Sequence, residues 1–311
     1  MKTNSLLMSI GNTPLIKPQN FLSAMHSNAS IFAKYEGCNP AGSIKDRAAL
    51  AMIEAGEKNG QIGPDTVIIE ATSGNTGIGL ALVCAQRGYR LLLTMPESMS
   101  IERRNLLQAM GAELILTKAA DGMQGAVDKA NELLATLPSA YMVSQFTNPA
   151  NAESHYRTTG PEIWDALVGK VDVLVATIGS GGTISGCGRY LKERHADIQI
   201  IGVEPAESPL LSQGIAGPHL IQGIGANFIP AVLDRDIIDE IVTVKGQDAM
   251  QIAKLFGQTE GYLVGISSGA ALSAALAIAA KPSFANKNIV TILPDRGERY
   301  MSTPLFQFTD K

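Results

Sequence analysis

Short apolar runs alternate with longer segments of helical period along most of the chain. The apolar runs are TVIIEA, YRLLLTM, AELILT and AYMVSQ in the first half, and VDVLVATI, IQIIGVEP, DEIVTV and NIVTILP in the second. The stretches between them, such as GIGLALVCAQRG and QDAMQIAKLFGQ, repeat their apolar positions at the spacing of an amphipathic helix. This alternation is typical of βα units around parallel sheets, so the pattern predicts an α/β fold with two sheets.

A polar, turn-rich segment lies near the middle of the chain. Residues 145–160 (QFTNPANAESHYRTTG) contain few apolar side chains and several residues that favour turns. With 311 residues, of which 45% are apolar, the chain is long enough for one large or two medium α/β domains. The central segment is therefore the best candidate for a crossing between two domains.

The net charge and the cysteines indicate which classes of ligand the protein is expected to bind. The net charge is −4, and no run of Lys or Arg suggests that the protein binds nucleic acid or a membrane surface. Cys38, Cys84 and Cys187 show neither a disulfide framework nor the spacing of a metal site. The longest apolar stretch, residues 270–280, is shorter than the roughly 20 residues that span a bilayer. We therefore expect a cytoplasmic protein with small-molecule ligands and no metal.

Two loops rich in Gly, Ser and Thr follow predicted strands and precede predicted helices. The glycine loop (residues 179–183, GSGGT) would expose backbone N–H groups to a small phosphate at a helix N-terminus, or would form a tight turn without a ligand. The asparagine loop (residues 72–77, TSGNTG) offers hydroxyl and N–H donors that suit a carboxylate, unless Ser73 or Thr76 merely caps its helix. Each loop alone leaves both interpretations open.

A serine pair and a lysine lie at the predicted starts of two helices. In GISSGAALSAALAIAAKP, Ser267 or Ser268 could cap its helix, or Ser268 could offer its hydroxyl to a buried ligand atom. In NPAGSIKDRAAL, Lys45 falls in the first turn after Ser43, where the helix dipole disfavours the ammonium form and should lower its pKa. A lysine that loses its proton readily is a nucleophile toward aldehydes, although most lysines are solvated surface groups.

Together these elements resemble a known family. An amine for a Schiff base, a phosphate loop, a carboxylate loop and a hydroxyl for a ring nitrogen are the parts of a pyridoxal phosphate site. From IGNTPL (10–15) to GERYMST (297–303), the chain resembles the cysteine synthases, or O-acetylserine sulfhydrylases, of fold-type II pyridoxal phosphate enzymes. The other motifs are NPAGSIKDR, EATSGNTGIGLA, QFTNPAN, TTGPEIW, GSGGTISGCGRYLK, GPHLIQGIGANFIP and GISSGAA.

The resemblance implies a tryptophan synthase β-like fold of two doubly wound α/β domains with mostly parallel sheets and the active site in the cleft between them. The N-terminal domain would comprise residues 1–11 and 36–150, with the Schiff-base lysine and the carboxylate loop. The C-terminal domain would comprise residues 12–35 and 151–311, with the phosphate loop and the pyridine-binding serine.

The resemblance also implies a role for each site residue. Lys45 and Ser73 would be catalytic, with Lys45 joined to pyridoxal 5'-phosphate. Asn75 would bond the 3-hydroxyl of the cofactor and Ser268 would face its pyridine nitrogen. Asp295, which lies in a turn after the predicted strand NIVTILP, is a rival for that nitrogen, although capping of the turn is its more common role. The cofactor phosphate would be held by Gly179, Ser180, Gly181, Gly182 and Thr183, although the family usually has Thr at position 180. The substrate carboxylate would be received by Thr72, Ser73, Gly74, Thr76 and Gln145.

The implied reaction is a β-replacement that makes L-cysteine and acetate from O-acetyl-L-serine and hydrogen sulfide through an α-aminoacrylate. A homodimer is implied, as is a complex with the C-terminal tail of serine acetyltransferase. GPHLIQGIGANFIP resembles the A-type isozyme, whereas NPAGSIKDRAAL is closer to the B-type, which also accepts thiosulfate. The alternatives are a cystathionine β-synthase, an O-phosphoserine sulfhydrylase, a serine or threonine dehydratase and, from a different class, a Rossmann-type NAD oxidoreductase, although the GxGxxG fingerprint is missing.

Overall fold

The computed structural model describes residues 5–307 and contains two compact units. Unit 1 comprises Asn39–Asn151 together with the chain up to Ile10, and unit 2 comprises Gly11–Cys38 together with the chain from Ala152 onward. The strands are β1 (Leu15–Ile16), β2 (Ser30–Tyr35), β3 (Val67–Ala71), β4 (Arg90–Pro96), β5 (Glu113–Thr117), β6 (Ala140–Met142), β7 (Val173–Thr177), β8 (Gln199–Pro205), β9 (Glu240–Val244) and β10 (Asn288–Leu293).

The helices begin and end mostly where the periodicity predicts them. They are α1 (Gln19–Ala24), α2 (Lys45–Lys58), α3 (Asn75–Arg87), α4 (Ile101–Ala109), α5 (Gly122–Thr136), α6 (Ala150–Arg157), α7 (Thr159–Ala166), α8 (Gly182–Lys192), α9 (Leu210–Gln213), α10 (Gly246–Glu260) and α11 (Ile266–Ala279). Gly88 ends α3 in the left-handed conformation, as the sequence predicts, because glycine has no Cβ to clash there.

Unit 1 is built on a parallel sheet with the strand order β5-β4-β3-β6 among the described residues. Its core is formed by buried aliphatic side chains from the sheet and from α2 and α3, with Ile68, Leu80 and Leu93 fully buried. The helix α5 packs against β3 and β4. The carboxyl ends of the strands lead into the loops that carry the candidate site residues.

Unit 2 contains the other sheet, with the order β1-β2-β10-β7-β8-β9 in the described chain. The pairs are parallel except for β1 with β2. The helix α11 packs against α10 and β10 and is buried on most of its surface, as its continuous apolar run predicts. The predicted α/β class with two mostly parallel sheets is confirmed.

The central polar segment is the main correction to the predicted elements. Residues 145–160 contain all of α6 and the start of α7, not only turns. The reason lies in packing, because Gly186 of α8 has no side chain and lets α8 approach α6 so closely that a Cβ there would lie 2.8 Å from the Cβ of His155. The buried contact compensates for the weak helix propensity of the polar residues.

Candidate active site

Lys45 is the first residue of α2, in the first turn as predicted. Ser43 accepts a hydrogen bond from the Lys45 N–H through its Oγ (3.2 Å), although Ile44, not Ser43, is the residue that flanks the helix. Asp46 holds the preceding loop, because its Oδ2 accepts the N–H of Ala41 (2.6 Å). The backbone on both sides of Lys45 is therefore fixed, and its side chain is half-buried.

The asparagine loop connects β3 to α3. The helix begins at Asn75 with Gly74 as its flanking residue, and no side chain caps it. Capping by Ser73 or Thr76 is therefore not the reason for the polar residues of this loop. Thr72 accepts the N–H of Gly74 through its Oγ1 (3.2 Å).

Gln145, far away in sequence, contacts the asparagine loop within unit 1. The hydroxyl of Thr76 donates a hydrogen bond to Gln145 Oε1 at 2.6 Å, and both side chains are buried. The structure thus brings together two of the residues predicted to receive a substrate carboxylate. Arg103, which the sequence reasoning missed, also reaches this loop, because its Nη1 donates to the carbonyl oxygen of Ser73 (3.4 Å).

Gly79 determines how closely α3 passes the start of α2. A Cβ at this position would lie 2.9 Å from the carbonyl oxygen of Lys45 and 3.1 Å from the Cβ of Ala49. Real Cβ atoms do not approach backbone atoms so closely, so glycine is required for this helix contact. The contact packs the helix of Asn75 directly against the first turn that carries Lys45.

The glycine loop connects β7 to α8 in unit 2. Gly181 has φ +85°, a left-handed conformation that favours glycine, and a Cβ on Gly179 would overlap the carbonyl oxygen of Gly223. The helix α8 then begins at Gly182 with its first N–H groups and the positive end of its dipole at this loop. Such a loop suits a phosphate group.

His155 of α6 supports the glycine loop and was not among the predicted site residues. Its Nε2 lies 3.3 Å from Thr183 Oγ1, and its Nδ1 lies 2.9 Å from Thr159 Oγ1. The ring is buried, and its contact with Thr183 restricts the orientation of the Thr183 hydroxyl. Only the position of His155 in the QFTNPANAESHYRTTG segment could have drawn attention to it.

Ser268 is the third residue of α11, which begins after Gly265. The interpretation of Ser268 as a helix cap is therefore wrong. Its hydroxyl is completely buried and has no hydrogen-bond partner among residues 5–307. A buried unsatisfied hydroxyl costs about 1–3 kcal/mol, so its presence points to a polar ligand atom that the hydroxyl serves. Asp295, the predicted rival, accepts the Tyr300 hydroxyl through Oδ2 (2.6 Å).

Replacing Ser268 by alanine should have opposite effects on the two forms of the protein. Ser268→Ala removes an unsatisfied hydroxyl, so we expect the cofactor-free protein to gain about 1 kcal/mol in free energy of unfolding. The cofactor-loaded protein should instead lose stability, because the hydroxyl then has a partner. Thermal unfolding of both forms measures this, with Ser267→Ala as the neighbouring control. A destabilised cofactor-free Ser268→Ala protein would contradict the assignment.

The donor sets fit pyridoxal phosphate. The glycine loop and the start of α8 suit its phosphate, the unpartnered Ser268 hydroxyl suits a ring nitrogen, and the amine of Lys45 suits its aldehyde. In the described part of the chain, no cluster of three or more His, Cys, Asp or Glu side chains could hold a metal ion. No helix of residues 5–307 combines the length and apolar character needed to cross a membrane.

Comparison with known proteins identifies the family. A family model described as "Pyridoxal-phosphate dependent enzyme" matches residues 6–295. Cysteine synthase A of Escherichia coli is 49% identical over 315 residues, covering 98% of this chain and 96% of that protein. The cysteine synthase structure from Entamoeba histolytica has a TM-score of 0.96 at 40% identity and covers 100% of this chain and 93% of that chain.

A further similar structure is the O-acetylserine dependent cystathionine β-synthase from Helicobacter pylori. Its TM-score is 0.89 at 39% identity, with coverage of 99% of this chain and 100% of that chain. Both the family model and the relative of 49% identity extend over nearly the whole sequence. The chain therefore belongs to the family of pyridoxal-phosphate dependent enzymes.

Proposed function

We propose that this protein is a cysteine synthase, an O-acetylserine (thiol)-lyase that makes L-cysteine and acetate from O-acetyl-L-serine and hydrogen sulfide. The observation that carries the proposal is the similarity, over nearly the whole chain, to a protein named cysteine synthase A. The local geometry supports it, because unit 1 offers an amine and a carboxylate loop while unit 2 offers a phosphate loop and a buried hydroxyl.

The proposed roles toward the cofactor follow from these donor groups. In unit 2, the glycine loop and the N–H groups at the start of α8 bind the phosphate, and Ser268 faces the pyridine nitrogen. In unit 1, Lys45 binds the cofactor covalently through Nζ, and Asn75 at the start of α3 bonds the 3-hydroxyl. Ser268 offers a neutral hydroxyl and not a carboxylate to that nitrogen, which would disfavour its protonation and so favour elimination over transamination.

The residues that we propose to act on the substrate all lie in unit 1. When bound, pyridoxal phosphate withdraws electrons from the substrate Cα. The amine of Lys45 would take the proton from Cα as acetate leaves, and would return a proton to Cα after sulfide has added at Cβ. Thr72, Ser73, Gly74, Thr76 and Gln145 receive the carboxylate and hold Cα beside Nζ. Because acetate leaves before sulfide reacts, ping-pong kinetics are expected.

An absorption titration tests the proposed activity. O-acetylserine should produce a new visible absorption band in the yellow cofactor-loaded protein, and sulfide should abolish that band while L-cysteine forms. Serine in place of O-acetylserine should give no such band. A cofactor-loaded protein whose spectrum does not respond to O-acetylserine would contradict the proposal.

A cystathionine β-synthase activity is the second candidate. It is favoured by the similarity to the Helicobacter pylori protein, whose name combines O-acetylserine with cystathionine synthesis. Homocysteine in place of sulfide distinguishes the two, because a cysteine synthase should turn over sulfide with a much higher kcat/KM. The same assay with O-phosphoserine in place of O-acetylserine tests whether the protein is an O-phosphoserine sulfhydrylase.

We propose further that the protein is a cytoplasmic homodimer that binds the C-terminal tail of serine acetyltransferase. The support is the resemblance of GPHLIQGIGANFIP to the A-type isozyme and the name of the Escherichia coli relative. Sedimentation of the purified protein tests the dimer. Titration with a peptide of the acetyltransferase tail tests the partner, and thiosulfate as acceptor separates the two isozyme types.

A further inference from the structure

Glu70 is a buried carboxyl group in the interior of the unit 1 sheet. It lies in β3, directly opposite Leu93 of β4, and its residue is only 3% exposed. The neighbouring positions Ile68 and Ile69 are fully buried aliphatic residues, so an apolar side chain would suit this strand better. The proposed reaction gives Glu70 no role.

The carboxyl group of Glu70 organises the chain after β6. The backbone ladder between β3 and the chain leaving β6 extends to the N–H of Val143, which donates to the Ile69 carbonyl (3.0 Å). The next two N–H groups along the chain donate to the Glu70 carboxyl group. The N–H of Ser144 donates to Oε2 (2.8 Å), and the N–H of Gln145 donates to Oε1 (3.3 Å). Ser144 there adopts a left-handed backbone conformation with φ +57°.

Gln145, whose N–H Glu70 accepts, also contacts the asparagine loop through its side chain. Gln145 Oε1 accepts the Thr76 hydroxyl at 2.6 Å. Because an amide oxygen accepts and an amide nitrogen donates, this bond determines which end of the Gln145 amide faces Thr76. Hydrogen bonds therefore connect Glu70 to the backbone of Gln145, and the Gln145 side chain to Thr76.

Burial makes this arrangement costly for the folded protein. Burial raises the pKa of Glu70 to about 7, against the lowering effect of the N–H groups of Gln145 and Ser144. Among the described residues, no lysine or arginine is among the groups that shift this pKa. The Tyr141 phenol of β6 interacts electrostatically with Glu70. Its pKa is raised by burial and by the negative charge of Glu70. A titratable carboxyl group buried at such a cost is a candidate for a functional position.

We propose that Glu70 is a positioning residue for the substrate carboxylate, because it holds the backbone of Gln145 and thereby places the Gln145 side chain beside the Thr76 hydroxyl. The inference rests on the proposed function, in which Gln145 and Thr76 receive that carboxylate. Glu70 itself does not touch the substrate. Its effect should therefore appear where the carboxylate is first bound and not where sulfide reacts.

The variant Glu70→Gln keeps the size of the side chain but removes the charge. Its amide presents N–H groups to the N–H donor of Ser144 or Gln145, so one of the two hydrogen bonds is lost and the backbone that places the Gln145 side chain is held less firmly. We expect kcat/KM for O-acetylserine to fall about tenfold, mainly through KM. The kcat/KM for sulfide should stay within about twofold, because the carboxylate is already bound when sulfide adds.

Glu204→Gln is the matched control. Glu204 is also a buried strand glutamate whose carboxyl group accepts two consecutive N–H groups, those of Leu211 (2.8 Å) and Ser212 (3.0 Å), but it lies in unit 2. This substitution should lower thermal stability without raising KM for O-acetylserine. An equal rise of KM in both variants, or none in Glu70→Gln, would overturn the proposal.

The pH dependence supplies a second readout. The ionised carboxylate accepts both N–H donors with its two oxygens, whereas one oxygen of the protonated group carries a proton and is a weaker acceptor. The ratio of wild-type to Glu70→Gln kcat/KM for O-acetylserine should therefore decrease toward 1 as the pH falls from about 8 to about 6, with titrations of the substrate cancelling in the ratio. A ratio that does not change with pH would contradict the role of the charge.

Calorimetric titration with L-alanine separates the inference from the proposed activity. L-alanine has the amino and carboxylate groups of the substrate but no leaving group, and ethylamine lacks the carboxylate. Glu70→Gln should bind L-alanine about tenfold more weakly than the wild type and ethylamine equally well. If the wild type does not convert O-acetylserine, the proposed function fails, while unchanged binding of L-alanine to the variant overturns the role of Glu70 alone.

Discussion

Lys45→Ala is expected to reduce kcat for the β-replacement by at least about 1,000-fold. The substitution removes two contributions at once, the covalent anchor of the cofactor and the base that moves the proton at Cα, and general-base catalysis alone accounts for about 100- to 10,000-fold. Steady-state cysteine formation measures the loss. The glycine loop and Ser268 are unchanged in this variant, so the cofactor should still bind without a covalent bond.

The other end of the same helix provides the control. Lys58 is exposed in the last turn of α2, and Lys58→Ala should leave kcat within about twofold because a solvated lysine contributes little. Borohydride reduction of the wild type followed by peptide mapping should place the cofactor on the peptide that contains SIKDR. Cofactor found on another lysine, or substantial turnover by Lys45→Ala, would remove Lys45 from its proposed role.

The chain's fold could be predicted because its signals are local. Strands buried in a parallel sheet are short apolar runs, as IIEA of β3 and LLLTM of β4 show, and their positions do not depend on distant residues. Helix ends are local as well, since Gly88 and Gly111 both adopt positive φ values after a helix. The position of Lys45 at the start of α2 follows from the same kind of pattern.

Features that depend on distant residues could not be predicted in this way. Glu70 contacts Gln145 across 75 positions of sequence, and His155 contacts Thr183 across 28. In a single sequence, Glu70 is only a polar residue in an apolar run. The helix α6 was missed for the same reason, because its stability comes from close packing against Gly186. The roles of the individual site residues toward cofactor and substrate stay predictions.

Gly181→Ala is expected to weaken cofactor binding at least about 100-fold, equivalent to about 2.7 kcal/mol. Gly181 has φ +85°, where an alanine is strained, and its Cβ would lie 2.7 Å from the Cβ of Leu233. The glycine loop must therefore shift, and with it the N–H groups at the start of α8 that we assign to the phosphate. Titration of the cofactor-free protein with pyridoxal phosphate measures the dissociation constant.

The variant Gly261→Ala separates the effect of backbone strain from the effect of a displaced glycine loop. Gly261 ends α10 with φ +71°, but no atom lies within 4 Å of the position of its Cβ, so this variant suffers the backbone strain alone. It should lose about 1 kcal/mol of stability and bind the cofactor within about twofold of the wild type. Repeating both titrations in the Lys45→Ala background removes the covalent bond, which leaves the loop as the main source of affinity. If Gly181→Ala then bound pyridoxal phosphate as well as Gly261→Ala did, the phosphate would have to be held by residues outside the glycine loop.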